Sequence, residues 1–461
     1  MSETEAVEAY LLAHEAEAVE ELKAFCRLPS VSTDPSYRDG IRAAAEFAAD
    51  MLRGAGFPMV ELVETGGHPA ILAEWIVSPD GPTVLVYGHY DVQPPDPFDK
   101  WTSPPFEPTI RDGRLYARGV SDDKGPLLIP ILVARAFKAV GGAPPLNLKF
   151  LIEGEEESGS PNFEATVARH KDRLAPDLVI SADGAMWRAD LPSMTVASRG
   201  MAKLEIVVEG TGKDLHSGRH GGSAPNAIRA LVHMLASLHD EAGNVAVEGF
   251  AAGALPPDPA ILEAIRQVDF DAAAYFRQIG ADPPKPMPSG EELLTRQWLV
   301  PTLEFNGITG GYQGPGTKTV IPATASAKIT CRLVAGQQPD RVVEAIARHL
   351  WKHKPSGYRF TVEQVGGAGT IAHALPPDLP ALAMAGDVLE ELLGAKPLRV
   401  AMGATIPVGA VFKQQLGVET IFFSFSTSDE DYHAPNEFFR LANFRLGMVA
   451  WTRLLARLAE G

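Results

Sequence analysis

The chain has 461 residues, 45% of them hydrophobic and 21% charged, with 58 acidic against 41 basic side chains for a formal charge of −17. Such a length exceeds one core and predicts two or three domains, while the apolar content excludes a disordered or collagen-like chain. The acidic balance excludes nucleic acid or an anionic membrane as main partner, since phosphate binding needs clustered Lys and Arg, and it suits a site that gathers cations.

In chain order, Glu3 to Phe25 carries apolar residues at helical spacing and reads as one surface helix, with no basic or apolar leader pattern. A second helix is expected over Ile41–Leu52, stopped by Gly54-Ala-Gly56. Short apolar runs follow: TVLVYG (Thr83–Gly88), LNLKFLI (Leu146–Ile152), DLVISA (Asp177–Ala182) and, much later, TIFFSF (Thr420–Phe425). Helical segments such as Gly125–Val140 separate them, and a long helix over Asn436–Leu458 closes the chain. Strands alternating with helices predict an α/β fold with a mostly parallel sheet covered on both faces. Between Arg199 and Pro380 the rhythm differs: Met201–Gly210 and Ala323–Val334 alternate as half-solvated strands do, beside helices at Ala224–Leu238 and Asp340–Trp351. The expected organisation is a discontinuous catalytic domain, residues 1–198 and 380–461, with an inserted α+β domain over 199–379. Pro94–Pro108 and Pro283–Pro288 read as surface loops. No apolar run reaches the ~18 residues of a membrane span, and two cysteines, Cys26 and Cys331, make no disulfide framework. A soluble cytoplasmic protein is expected.

In an open parallel sheet, ligands bind beyond the carboxyl ends of the strands. There the sequence places His89-Tyr90-Asp91, the run Glu153 to Gly159, Asp183, and Ser426 to His433, while Ser121-Asp122-Asp123-Lys124 opens the helix near Pro126. Singly, each has an ordinary reading: Asp122 or Asp123 as a helix cap, the glutamates as a solvated turn, His89 and His433 as packed or surface histidines. Together they crowd carboxylates on one rim, which raises their pKa values unless cations neutralise them. Imidazole and carboxylate without thiolate suit Zn²⁺, Mn²⁺ or Co²⁺. Two histidines and several carboxylates suffice for two ions sharing a carboxylate, each with an open position for water. Asp91 is close enough to accept the second N–H of His89, and of Glu156 and Glu157 one could ligate while the other takes a proton from water.

The segments GHYDVQP (Gly88–Pro94), ARGVSDDKGP (Ala117–Pro126), EGEEESGS (Glu153–Ser160), DLHSG (Asp214–Gly218) and YHAPNE (Tyr432–Glu437) resemble the di-zinc metallopeptidases. That family includes aminoacylase, acetylornithine deacetylase, glutamate carboxypeptidase and the carnosine and cysteinylglycine dipeptidases; with TVIP (Thr319–Pro322) the wording is most similar to the dipeptidase branch. The resemblance implies two divalent ions, Zn or alternatively Mn or Co. His89 and Asp183 would hold one, Glu157 and His433 the other, and Asp122 both, across a cis Asp122–Asp123 peptide. Asp91 would orient His89, and Glu156 would be the general base for a water activated by the metal pair.

The resemblance also implies that the inserted domain is a lid and homodimerisation surface whose His216 reaches the partner's site to steady the oxyanion. Arg332 would bind the substrate carboxylate, with Thr319 and Thr405, in GATIP, as further contacts; Thr405 stands where these dipeptidases carry serine. On an alternating strand, an arginine such as Arg332 otherwise just faces water. The implied activity is metal-dependent hydrolysis of dipeptides or short peptides; an N-acyl amino acid deacylase or a glutamate-type carboxypeptidase would use the same metal site. Asp190 is the fallback for Asp183, and His220 and His373 read as surface histidines. A metal-dependent peptide binder needs no base and so does not account for Glu156, and a nucleotide-binding enzyme lacks its P-loop: GGYQGPG (Gly310–Gly316) falls in the inserted domain.

Overall fold

In the computed structural model, which describes residues 1–461, the apolar runs become four adjacent strands of a six-stranded sheet. Its order is Met59–Val63, Ala70–Trp75, Asn147–Glu153, Thr83–His89, Leu178–Ser181, Thr420–Phe422. The last four run parallel, while the first two form an antiparallel edge. Asn147–Glu153 is buried at every position and Leu178–Ser181 likewise, as continuous apolar runs should be between two helical layers. The helix Gly125–Gly141 is buried along most of its length and packs on Glu3–Ala13, Arg38–Ala55 and Leu441–Glu460.

The chain divides into two compact units: Met1–Val196 with Leu375–Val400 and Val411–Gly461, and Ala197–Ala374 with Ala401–Ala410. The return segment Ala401–Ala410 belongs with the second unit because Arg199 holds it there. The Arg199 N–H donates to the Ala404 carbonyl at 2.9 Å and its Nε to that of Gly403 at 3.0 Å. The second unit has an antiparallel sheet ordered Thr302–Gly310, Thr324–Leu333, Gly200–Glu209, Arg359–Gln364. Its alternation is that of one covered face: Leu204, Ile206 and Val208 join Ala327, Ile329 and Cys331 in a core closed by Leu231 and Met234 of helix Ala227–Ala236 and Ile346 and Leu350 of helix Pro339–His353.

Three local expectations are corrected. The N-terminal helix is two, Glu3–Ala13 and Glu15–Cys26, turning at His14. The last helix starts at Leu441, because Phe438–Arg440 is first used as a strand against Arg114–Tyr116. His373 is buried, 5% exposed, in a short strand with Ala374 rather than on the surface, whereas His220 is partly exposed at the end of a short helix.

Candidate metal centre

Parallel register brings the strand ends level: His89 stands opposite Glu153, and Tyr87 opposite both Leu151 and Ser181. The segments that follow, Asp91, Glu156-Glu157 and Asp183, therefore leave the sheet at one rim. The strand Thr420–Phe422 is parallel too, so the loop after it enters the same rim with His433. Asp122 arrives from the side, in the irregular turn Val120–Lys124 that opens the buried helix, and the Asp122–Asp123 peptide bond is cis.

Two sets of three donor groups result, each with its ligand atoms within 4.8 Å of one another: His89, Asp122 and Asp183, and Asp122, Glu157 and His433. Asp122 belongs to both. Its Oδ1 lies 3.0 Å from His89 Nε2 and its Oδ2 2.9 Å from His433 Nε2, while Glu157 Oε2 is 3.1 Å from the same His433 nitrogen. Asp91 is fully buried, with Oδ1 3.3 Å from His89 Nδ1. His89 Nδ1 also lies 3.1 Å from the Asp91 main-chain carbonyl oxygen, and the two carboxylate oxygens accept the main-chain N–H groups of Glu156 at 3.2 Å and Glu157 at 3.0 Å, so one residue meets both the imidazole and the glutamate pair. Gln93 Nε2 donates to Glu157 Oε2 at 2.8 Å. Asp190 lies outside this group, paired with Arg188 at 2.8 Å on the surface.

The electrostatics record negative charge without enough counter-charge. Burial, with Asp122 next to it, pushes Glu157 up to about 7, and burial pushes Asp183 up to about 6. Burial also carries Glu156 well above the carboxylate range, with repulsion from Asp183, Glu157 and Asp122 adding to it. Burial alone would lower the His89 imidazole, but its bonds to Asp122 and Asp91 raise it well above the histidine range. The bonds of His433 to Asp122 and Glu157 raise it to about 10. Asp122 goes the other way: burial opposes it, yet two imidazoles hold it below the carboxylate range. The neighbouring Asp123 keeps a buried oxygen, Oδ1, with no hydrogen-bond partner. Oxygen and imidazole donors, no thiolate and a surplus of buried carboxylate are what borderline divalent cations fit. The free, buried Cys26 and Cys331 belong to neither set.

The remaining candidates gather in the second unit. DLHSG and TVIP meet as a two-stranded ladder, with His216 opposite Val320 and Thr319 Oγ1 3.4 Å from His216 Nε2. His216 is exposed, and its Nδ1 accepts the Gly218 N–H at 3.1 Å, leaving Nε2 outward with Thr319. Arg332 does not simply face water: its Nη1 donates to Thr405 Oγ1 at 2.7 Å. Sequence reasoning missed Arg199, read only as a domain edge. Its Nη1 donates to the Val300 carbonyl at 3.0 Å, and burial together with the charge of Arg332 lowers its pKa to about 10. No spacing in the sequence links Arg199 to Arg332; adjacent strands do, with Arg332 opposite Met201.

The sequence model of peptidase family M20/M25/M40 matches residues 85–457. The Beta-Ala-His dipeptidase of Mus musculus is 30% identical over 469 aligned positions, 98% of this chain and 94% of that one. The Cys-Gly metallodipeptidase of Saccharomyces cerevisiae is 28% identical, covering 94% of each chain. The crystal structure of human carnosine dipeptidase 1 superposes with a TM-score of 0.80 at 29% identity, with all of each chain covered.

Proposed function

The chain belongs to peptidase family M20/M25/M40, and from that premise we propose that it hydrolyses the amide bond of dipeptides at a pair of divalent ions. The observation that carries the reading is the sharing of Asp122 by two donor sets with Glu156 alongside. His89 and Asp183 would hold one ion, Glu157 and His433 the other, and Asp122 both. Bound there, two cations, zinc before manganese or cobalt, would polarise the scissile carbonyl and acidify the attacking water. Asp91 fixes the His89 ring so that Nε2 faces the site. Glu156, which belongs to neither donor set, takes the proton of the attacking water and returns it to the leaving amine.

His216, with Thr319 beside it, donates to the developing oxyanion of the partner subunit in a homodimer built through the inserted domain. Arg332 forks onto the free carboxylate of the substrate, with the Thr405 hydroxyl next to it. One anchor for one terminal carboxylate favours short substrates, in keeping with relatives named as dipeptidases. A cytoplasmic location is part of this proposal, in keeping with two free, buried thiols; no helix is long and apolar enough to cross a membrane.

A panel of dipeptides set against acetylated and succinylated amino acids tests the substrate class. Turnover of dipeptides supports it; turnover confined to the acyl amino acids transfers the same metal chemistry to a deacylase.

A further inference from the structure

Glu437 ends the YHAPNE segment, four residues after His433, and has no part in either donor set. It is fully buried, and both of its oxygens are taken up by the turn that carries Asp122. Oε2 accepts from Arg118 Nη1 at 2.7 Å and from the Gly119 N–H at 2.8 Å; Oε1 accepts from the N–H of Ser121 at 2.9 Å and of Asp122 itself at 3.2 Å. Three main-chain N–H groups and a guanidinium thus converge on one carboxylate, the anion nest that a left-handed Gly119 (φ 79°) opens. Strand pairing delivers it: Phe438 stands opposite Tyr116, so Glu437 meets the chain just beyond, and the Ala117 N–H donates to its carbonyl at 3.2 Å.

The other flank of His433 is anchored to the same turn. Glu430 Oε2 accepts from Ser121 Oγ at 2.7 Å, and Ser426 Oγ donates to the Ser121 carbonyl at 2.6 Å. Between these anchors the loop holds three non-glycine residues in the left-handed region, Asp431 (φ 52°), His433 (φ 63°) and Asn436 (φ 67°). Such backbone persists only where the surroundings over-determine it.

We infer that Glu437 is a positioning residue for the metal pair: it locks the main chain of the shared ligand Asp122 to the loop that presents His433, so that the second donor set is preassembled. Glu437 touches neither substrate nor reacting atoms and acts through Asp122 and His433. The inference rests on the metal reading above.

The test is the affinity for zinc, measured by chelator competition on Glu437→Gln and on the double variant Glu437→Gln/Arg118→Met, which leaves no unpaired guanidinium in the core. Circular dichroism and cooperative thermal unfolding establish that each is folded. The expected result is zinc binding weakened roughly 10–100-fold, as for outer residues that orient ligands, with the ion that depends on His433 weakened more; His433→Ala identifies that ion. A folded variant that binds both ions as tightly as wild type overturns the inference, as does a lowered melting temperature with unchanged affinity. Should Glu437→Gln not fold, the double variant alone decides. A wild-type chain that binds no zinc overturns the metal reading itself, a result distinct from the other two.

Discussion

Asp122 is the member common to both donor sets, and each of its two oxygens faces a different histidine. Removing a carboxylate from such a cluster has one of two effects, loss of a cation or loss of a proton acceptor, and the two are separable by measurement. Glu156 belongs to neither donor set, although burial and three neighbouring carboxylates hold its pKa high. Glu156→Ala is therefore expected to keep its metal content while kcat falls by ~10²–10⁴-fold, the usual worth of a general base. Metal lost in parallel with activity would make Glu156 a ligand instead. At this scale the sequence was informative wherever chemistry follows an apolar run directly, as His89 and Asp183 do. It assigned no role to Glu437 and Arg199, most of whose partners are main-chain N–H and C=O groups; the direction of those groups is set by turns and strand register, not by side-chain type.

Elements show the same division. Long periodic segments were legible: the run Leu146–Ile152 is the strand Asn147–Glu153, and Asp340–Trp351 lies within the helix Pro339–His353. Strands such as Thr109–Arg111, Arg114–Tyr116 and Phe438–Arg440 span too few residues to display a period, and tertiary pairing alone defines them. Gly200, next to Arg199 where the rhythm of the sequence changes, has a steric meaning. A Cβ on Gly200 would lie 2.5 Å from the Thr370 carbonyl oxygen and 2.6 Å from the Ala372 nitrogen, both main-chain atoms of the neighbouring stretch. Side chains can turn away from such a contact; backbone has to move. Gly200→Ala is thus expected to destabilise by about 1–3 kcal/mol, the range of overpacked cores, which outweighs the entropy that glycine loses on folding, at most ~1 kcal/mol. Denaturant unfolding checks this, and a midpoint equal to or above that of wild type would contradict it.

Over the whole molecule, the acidic rim belongs to the unit of the parallel sheet, and His216 and Arg332 lie in the unit of the antiparallel sheet. If His216 serves a partner's site, Glu156→Ala and His216→Ala chains are each impaired alone, yet mixing them creates dimers with one intact site. Up to about a quarter of wild-type activity should return in a statistical mixture, given one intact site in each of half the dimers, and an inactive mixture would place His216 outside the reaction of the partner. The alternation of strands and helices disclosed the mostly parallel sheet; the antiparallel sheet lies in the second compact unit. The return of Ala401–Ala410 to the second unit was hidden, because it depends on the hydrogen bonds of Arg199 and on that of Arg332 to Thr405.

The most direct measurement is elemental analysis of the purified chain, with dipeptide hydrolysis followed before chelation, after it and on restoring metal. Two divalent ions per chain, with activity lost on their removal and regained on their return, is the predicted result. Full activity in a protein stripped of metal, or a chain that takes up no ion at saturating zinc, would contradict it.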